Sequence, residues 1–493
     1  MRKIELSKNT LKEFFLKYGV GFGIALEFVV ILGIYLMLLL NVPTQNGDNV
    51  EHIHSSFLIF QGKIPYRDFF QHHNPLMWFI FAPLTGVFSY DVTISEVVGF
   101  ISFLVFLKSL VYVYHLVNEF IGGKFAGVLS FLFLMVPSYK VYALDFRPDN
   151  YMVFCLMGGL FYYFRYLRDV KCGDLIVAGV FFTLSFLFAQ KALFPLFLIG
   201  LSGLWFWYKK EIKTKDLVKM LLVTGIILGG FFGYLWKYNI IRVYFASNYE
   251  FNLNLVEGFE LGRIAKIDNY MRMWLWFGAI GSFMGILSKD KFKVLLGIMF
   301  WAEFLQRFFY FSPYSYYYWL LSYFMVLNGI YLLKTLDDKN RLVRVAMVVI
   351  VGVNLWNIFG YQHNVYVNSK DRAYLPDYIT RKISKCDYVF NGDGLMYNMF
   401  ARDPHYYWQL IGQLDVVGEK TGLIKKPDMN YLIENIKPRF IYGKNYFNKF
   451  AEESGRREIV HYLDLEMIEK YYKKTEFLNI YELKDEYVKE CWE

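Results

Sequence analysis

Charged residues are scarce in this chain: Asp, Glu, Lys and Arg make up 20% of its 493 residues, against 56% hydrophobic and 21% aromatic. That balance excludes a single soluble core. The formal net charge of +9 gathers in short loop clusters with no basic and aromatic interleaving, which argues against a nucleic-acid partner. Cysteine is nearly absent. Cys155 and Cys172 fall in or beside apolar runs, and a disulfide between Cys386 and Cys491 stays open in an oxidising compartment. There is no internal repeat and no low-complexity linker. No complete glycine fingerprint opens a helix, so "NGDG" at 391–394 reads as a turn. His52, His54, His72 and His73 lack the i, i+4 spacing of a helical metal pair, and no metal ligand set is assigned.

Long apolar runs are what the chain has in abundance. Residues 18–41, 95–118, 125–143, 150–167, 174–189, 192–208, 219–238, 272–288, 293–309, 315–333 and 344–360 are each about the length that crosses a bilayer, roughly 17–25 residues. The first is read as a helix, since no small-residue cleavage site precedes the polar stretch after it. Lysine and arginine cluster in alternate loops: near the N-terminus, at Lys124, at 165–171, 209–219, 289–293 and 334–344. The positive-inside rule makes those loops cytoplasmic. The fold expected is therefore an α-helical polytopic membrane protein of about eleven spans, with the N-terminus inside. A transmembrane domain, 1–361, carries a large outer loop at 42–94, and an extracytoplasmic α/β domain follows at 362–493. In that domain "DYVF" (387–390), "RFIYG" (439–443) and "EFLNIYEL" (476–483) read as strands, and 375–385, 429–437 and 463–473 as helices. Residues 75–89 are apolar but short, as expected of a helix lying at the interface.

Titratable chemistry concentrates in "GDNVEHIHSSFLIFQGKIPYRDFFQHHNPL", 47–76. Asp48 and Glu51 are three apart, the spacing of a capping box and also of two carboxylates on one helix face. Tyr66, Arg67, Asp68, His72, His73 and Asn74 follow, a density of polar groups that suits a polar or anionic ligand beside the membrane. "ALDFRPDN" (143–150) adds Arg147 and Asp149, "AQKALF" (189–194) adds Lys191, and "EFLQRFF" (303–309) adds Glu303 and Arg307. Guanidinium and ammonium groups of this kind recognise phosphate.

Together, the Asp-x-x-Glu of the first outer loop, "GKIPYRDFFQHHNPL" and "DFRPDN" resemble the polytopic glycosyltransferases of the GT-C class. The branch is that of the dolichyl-phosphate-mannose-protein mannosyltransferase-like proteins and the lipid A aminoarabinose transferase. The resemblance covers the membrane half and no motif after 361. It implies transfer of a sugar from a polyprenyl-phosphate donor to an acceptor hydroxyl of a glycan, lipid or protein, outside the cytoplasmic membrane and with inversion. Asp48 maps to the catalytic acidic position, with Glu51 beside it, and Asp149 to the second. "SPYSYYYW" stands where relatives carry a His-Tyr pair, so no cofactor is assigned, although Asp48 and Asp149 could share a divalent metal. The residues themselves supply a mechanism: Asp48 as general base, and Lys191 and Arg147, then Arg67 and Arg307, facing the departing lipid phosphate. A transporter or flippase of polyprenyl-linked glycolipids is the alternative. It would place its ionisable groups nearer mid-membrane.

Overall fold

The computed structural model describes residues 47–134, 143–254, 269–308, 318–336, 377–391, 398–406, 429–442, 465–477 and 480–488, with 29, 32, 33, 345 and 349. Its long elements are helices: α1 (Gly47–Phe60), α2 (Leu76–Val87), α3 (Ile94–Phe120), α4 (Lys124–Leu134), α5 (Pro148–Asp169), α6 (Cys172–Phe188), α7 (Leu193–Tyr208), α8 (Thr214–Lys237), α9 (Asn269–Leu287), α10 (Lys291–Gln306) and α11 (Trp319–Leu336). Among the described residues, four helical stretches are long and apolar enough to cross a membrane: α3, α7 with the turn that leads into it, α8 and α11. The protein is a multi-pass membrane protein on that basis. Nine of the expected runs coincide with α3 to α11, while 18–41 and 344–360 fall almost wholly outside the described residues.

Burial separates two kinds of apolar helix. In α11 nearly every side chain from Trp319 to Leu333 is buried, whereas α8 buries only Asp216 and Leu235. An apolar helix exposed to this degree belongs against lipid. The bundle closes where side chains are missing. A Cβ added at Gly281 in α9 would lie 2.0 Å from the Asn328 carbonyl oxygen of α11, so glycine permits this backbone approach. The Asn328 amide in turn donates to the Leu296 carbonyl of α10 at 3.1 Å.

Turn chemistry sets the helix ends that matter below. Pro148 stands in the first turn of α5 behind an extended Arg147, φ −129°, where a missing N–H costs nothing. α1 begins at Gly47, which puts Asp48 inside the first turn. Its carboxylate meets Arg147 in a tertiary ion pair at 2.8 Å. α2 packs Met77, Trp78, Phe81 and Thr85 inward and leaves Phe79, Ile80 and Val87 outside.

The last third contributes a four-stranded sheet of β1 (Val389–Asn391), β2 (Phe440–Tyr442), β3 (Tyr472–Lys474) and β4 (Ile480–Leu483), in the order β1-β2-β4-β3. The β1–β2 pair is parallel and the others antiparallel. Alternation divides the sheet into two faces. Val389, Phe440, Tyr442 and Ile480 join the main apolar core with α1 to α11. Phe390, Ile441, Tyr472 and Leu483 pack on Leu432, Ile433 and Ile468. β3 departs from the sequence reading, which gave 463–473 to a helix: that helix ends at Tyr471, and Tyr472 is drawn into the second core. Cys386 is disulfide-bonded, Cys155 and Cys172 are thiols, and Cys491 lies outside the described residues.

Gly281→Ala must push α9 and α11 apart, at a cost of about 1–3 kcal/mol for overpacking. Gly225 of α8 has open space around it. Thermal unfolding in detergent should show a clear fall in Tm for Gly281→Ala and none for Gly225→Ala.

Candidate active site

Three short connections meet at one end of the bundle. The Asn49 side chain of α1 accepts a hydrogen bond from the Phe146 amide at 2.7 Å, fixing the 145–147 loop across the start of α1. The Asn150 side chain donates to the Asp145 carbonyl at 2.9 Å and tightens the turn into α5. The Gln190 amide donates to the His72 carbonyl at 2.8 Å, joining the turn before α7 to the His72–Asn74 loop.

These bonds line up four charges in alternation. Asp48 meets Arg147 at 2.8 Å, Arg147 lies 3.9 Å from Asp149, and Asp149 meets Lys191 at 2.9 Å. Exposure differs along the series: the Asp48 side chain is 38% exposed, those of Arg147 and Asp149 only 8% and 14%. Asp149 also sits in the first turn of α5, where a helix favours an anion. Burial by itself would raise the Asp149 carboxyl, but Lys191 and then Arg147 outweigh it and hold the group below the usual carboxylate range. The result is one sequestered carboxylate and one open to solvent, joined by a shared guanidinium. Arg307 forms a second buried pair with Glu303 at 2.5 Å and is near enough for its charge to act on Lys191.

Behind the charges lies a histidine layer. His72 is pushed down to about 4 by burial and by Lys191. His52 is lowered by burial and by Arg147, and His73 by burial and by His72. All three are therefore neutral at physiological pH. Glu51, His52 and His73 bring one donor atom each within 4.8 Å of one another, a set that by composition could hold a divalent cation. The hydrogen bonding of His52 opposes this. The Trp78 indole N–H donates to its Nδ1 at 3.1 Å, so the one proton of the neutral ring sits on Nε2. A ring that accepts at Nδ1 and carries its proton at Nε2 offers a hydrogen-bond donor in place of a metal lone pair.

The other expected site residues divide. Tyr66 takes a positive φ of 66°, and its hydroxyl donates to the His73 carbonyl at 2.5 Å. The Asn74 amide donates to the Phe186 carbonyl at 2.5 Å and its oxygen accepts from Tyr244 at 2.8 Å. These two hold the histidine loop in place. Arg67 and Asp68 pair with each other at 2.9 Å on a turn where Arg67 is 48% exposed. Asp68 also accepts from the Ile64 amide at 2.7 Å. Among the described residues they form no ion pair with the Asp48–Lys191 series, and together they brace the turn. Asn49, Trp78, Gln190 and His52 were left out of the assigned site. Of these only His52, inside the histidine cluster, carried a signal in the sequence.

The fold is that of the GT-C class. ArnT from Cupriavidus metallidurans, solved bound to undecaprenyl phosphate, superposes with a TM-score of 0.56 at 13% identity, over 85% of this chain and 92% of that one. Its apo structure gives 0.56 at 12% identity over the same shares. The Archaeoglobus fulgidus oligosaccharyltransferase AglB, in complex with an inhibitory peptide and a dolichol-phosphate, reaches 0.44 at 13% identity over 93% of this chain and 73% of that one, a likeness too loose to carry an argument. Residues 72–201 match the family model described as dolichyl-phosphate-mannose-protein mannosyltransferase. Residues 72–201 thus resemble that mannosyltransferase family, within a chain whose fold is like that of ArnT. No curated protein matches it by sequence.

Nitrogen-15 spectra of histidine-labelled protein at neutral pH should show His52, His72 and His73 uncharged, with His52 as the Nε2–H tautomer. Trp78→Phe removes the indole donor and should give a tautomer mixture at His52. An Nδ1–H tautomer in the parent protein would rule out this account.

Proposed function

We propose that this protein is a membrane glycosyltransferase that moves a sugar from a polyprenyl-phosphate donor to an acceptor hydroxyl on the extracytoplasmic side of the cytoplasmic membrane. The observation that carries the reading is the Asp48–Arg147–Asp149–Lys191 series on a GT-C fold: a single open carboxylate backed by two fixed cations. A sugar hydroxyl is a weak nucleophile, and a carboxylate within reach can take its proton as C1 is attacked. Asp48 fills that role, and Arg147, 2.8 Å away, orients it. The leaving group is a lipid phosphate whose charge grows as the bond to C1 breaks. Lys191 and Arg147 face that charge in a site largely shielded from water, where preorganised cations act most strongly. Asp149 holds both cations in place, and the Nε2–H of His52 adds a neutral donor in the same layer. Among the described residues Asp48 is the carboxylate of the series that is open to solvent, which supports a direct displacement that inverts the anomeric centre.

The complex of ArnT with undecaprenyl phosphate supports a lipid-phosphate donor here. The same reading places the N-terminus inside, the first loop and the last third outside, eleven spans within 1–361, and an α/β domain at 362–493 above the site. That domain would help to guide the acceptor.

Asp48→Asn should lower sugar transfer by about 10²–10⁴-fold in membranes supplied with radiolabelled donor, while donor binding is retained. Lys191→Met should weaken donor binding as well, because it removes a phosphate contact and leaves Asp149 short of a partner. Full transfer by Asp48→Asn would remove Asp48 as the base. Donor turnover without release of polyprenyl phosphate would point to a glycolipid transporter.

A further inference from the structure

Two side-chain atoms beside the ion series are cut off from solvent and have no hydrogen-bond partner among the described residues: Nδ1 of His72 and Oε1 of Gln190. A buried polar atom left in that state is costly to a fold. Neither belongs to a loose side chain. The Gln190 amide nitrogen donates to the His72 carbonyl at 2.8 Å. That carbonyl only accepts, which fixes the other end of the amide as the oxygen.

The histidine is held as firmly. Its carbonyl takes a second donor, the Asn252 amide, at 3.1 Å, and Asn252 is itself steadied on the Asn248 carbonyl at 2.8 Å. The His72 ring packs on His73 at 4.2 Å between centroids, on Phe251 at 5.6 Å and on Phe70 at 6.2 Å. Gln190 and His72 are therefore set in place before any ligand arrives, and each keeps one polar atom in reserve.

Charge narrows what those atoms can meet. Oε1 of Gln190 accepts and never donates, so a phosphate or carboxylate oxygen is repelled there. A metal cation is opposed from the other side by Lys191, whose ammonium lies near enough to disfavour charge on the His72 ring. What remains is a neutral group that donates. A hydroxyl donates to Oε1 and accepts from Nδ1 when that nitrogen carries the ring's proton, and two neighbouring hydroxyls serve the other tautomer. Gln190 and Lys191 share one 3-10 turn, and Lys191 is the cation that pairs with Asp149. A hydroxyl bound here stands next to the phosphate that Lys191 faces.

We propose that His72 and Gln190 form the subsite for a hydroxyl of the transferred sugar, and that the donor class is a polyprenyl-phosphate sugar in which that hydroxyl is free. This rests on the function proposed above. Selection follows from the reserved atoms: a sugar without the hydroxyl, or with it capped as an ester or ether, leaves both unpaired in a buried place.

Competition binding to the full-length protein in lipid nanodiscs tests the subsite. The probes are undecaprenyl phosphate and its mannosyl, glucosyl and galactosyl esters, followed by the 2-, 3-, 4- and 6-deoxy forms of whichever ester binds most tightly. One deoxy form should bind about two- to tenfold more weakly than its parent sugar, a comparison that needs no substitution in the protein. His72→Phe keeps the ring packing and the backbone carbonyl that Gln190 and Asn252 hold, and should shrink that penalty toward none. Equal binding of all four deoxy forms, or an undiminished penalty in His72→Phe, overturns the subsite. Transfer measured on the same samples separates the two ideas. Deoxy discrimination without transfer removes the transferase reading and leaves the subsite standing, whereas transfer without discrimination removes the subsite alone.

Discussion

Everything at the site depends on charges that neutralise one another at the edge of an apolar bundle. A lone cation or carboxylate buried to this depth would cost several kcal/mol, and the alternation of Asp48, Arg147, Asp149 and Lys191 avoids that at each step. Asp149 has a cation on either side, and Arg147 an acid on either side. The arrangement ends at Asp48, the most exposed of the four carboxylates and cations. A cluster designed only for stability would close that end. Leaving it open exposes one acid whose neighbour is fixed and whose far side is unoccupied by the series.

Histidine takes two opposite roles within three residues of one helix. His52 is neutral because burial and Arg147 disfavour a further charge, and Trp78 decides which nitrogen bears its proton. His54, less than one turn away, meets the Met399 carbonyl through Nδ1 and the Asp403 carboxylate through Nε2. Sequence spacing treats the two as alike. Their partners, drawn from α2 in one case and from beyond residue 398 in the other, set the difference.

Legibility in the sequence followed the range of the interaction. The helices were readable because apolar length is a local property, and α3 to α11 fall where the runs do. The "GKIPYRDFFQHHNPL" block was readable as something special, but the work of its members was not. Tyr66 and Asn74 bind backbone carbonyls at 73 and 186, and Arg67 turns to its neighbour Asp68. The partner of the Asp48 carboxylate was not legible, because Arg147 lies 99 positions away, counting from 48 to 147. β3 was hidden for a similar reason: Tyr472 follows a helical segment without a break, and only pairing with Leu483 makes it a strand.

The contact between His54 and Asp403 spans 349 positions, and that distance has a consequence for biosynthesis. Chains fold from the N-terminus as they are made, at about 5–20 residues per second. α1 would therefore wait tens of seconds, its outward face uncovered, for the segment that completes its packing. The charge series can assemble once Lys191 has emerged, long before the sheet exists. A nascent chain would thus hold its ion chemistry in place while the cover over it is still unmade, which makes the C-terminal third the last checkpoint on the road to a working molecule.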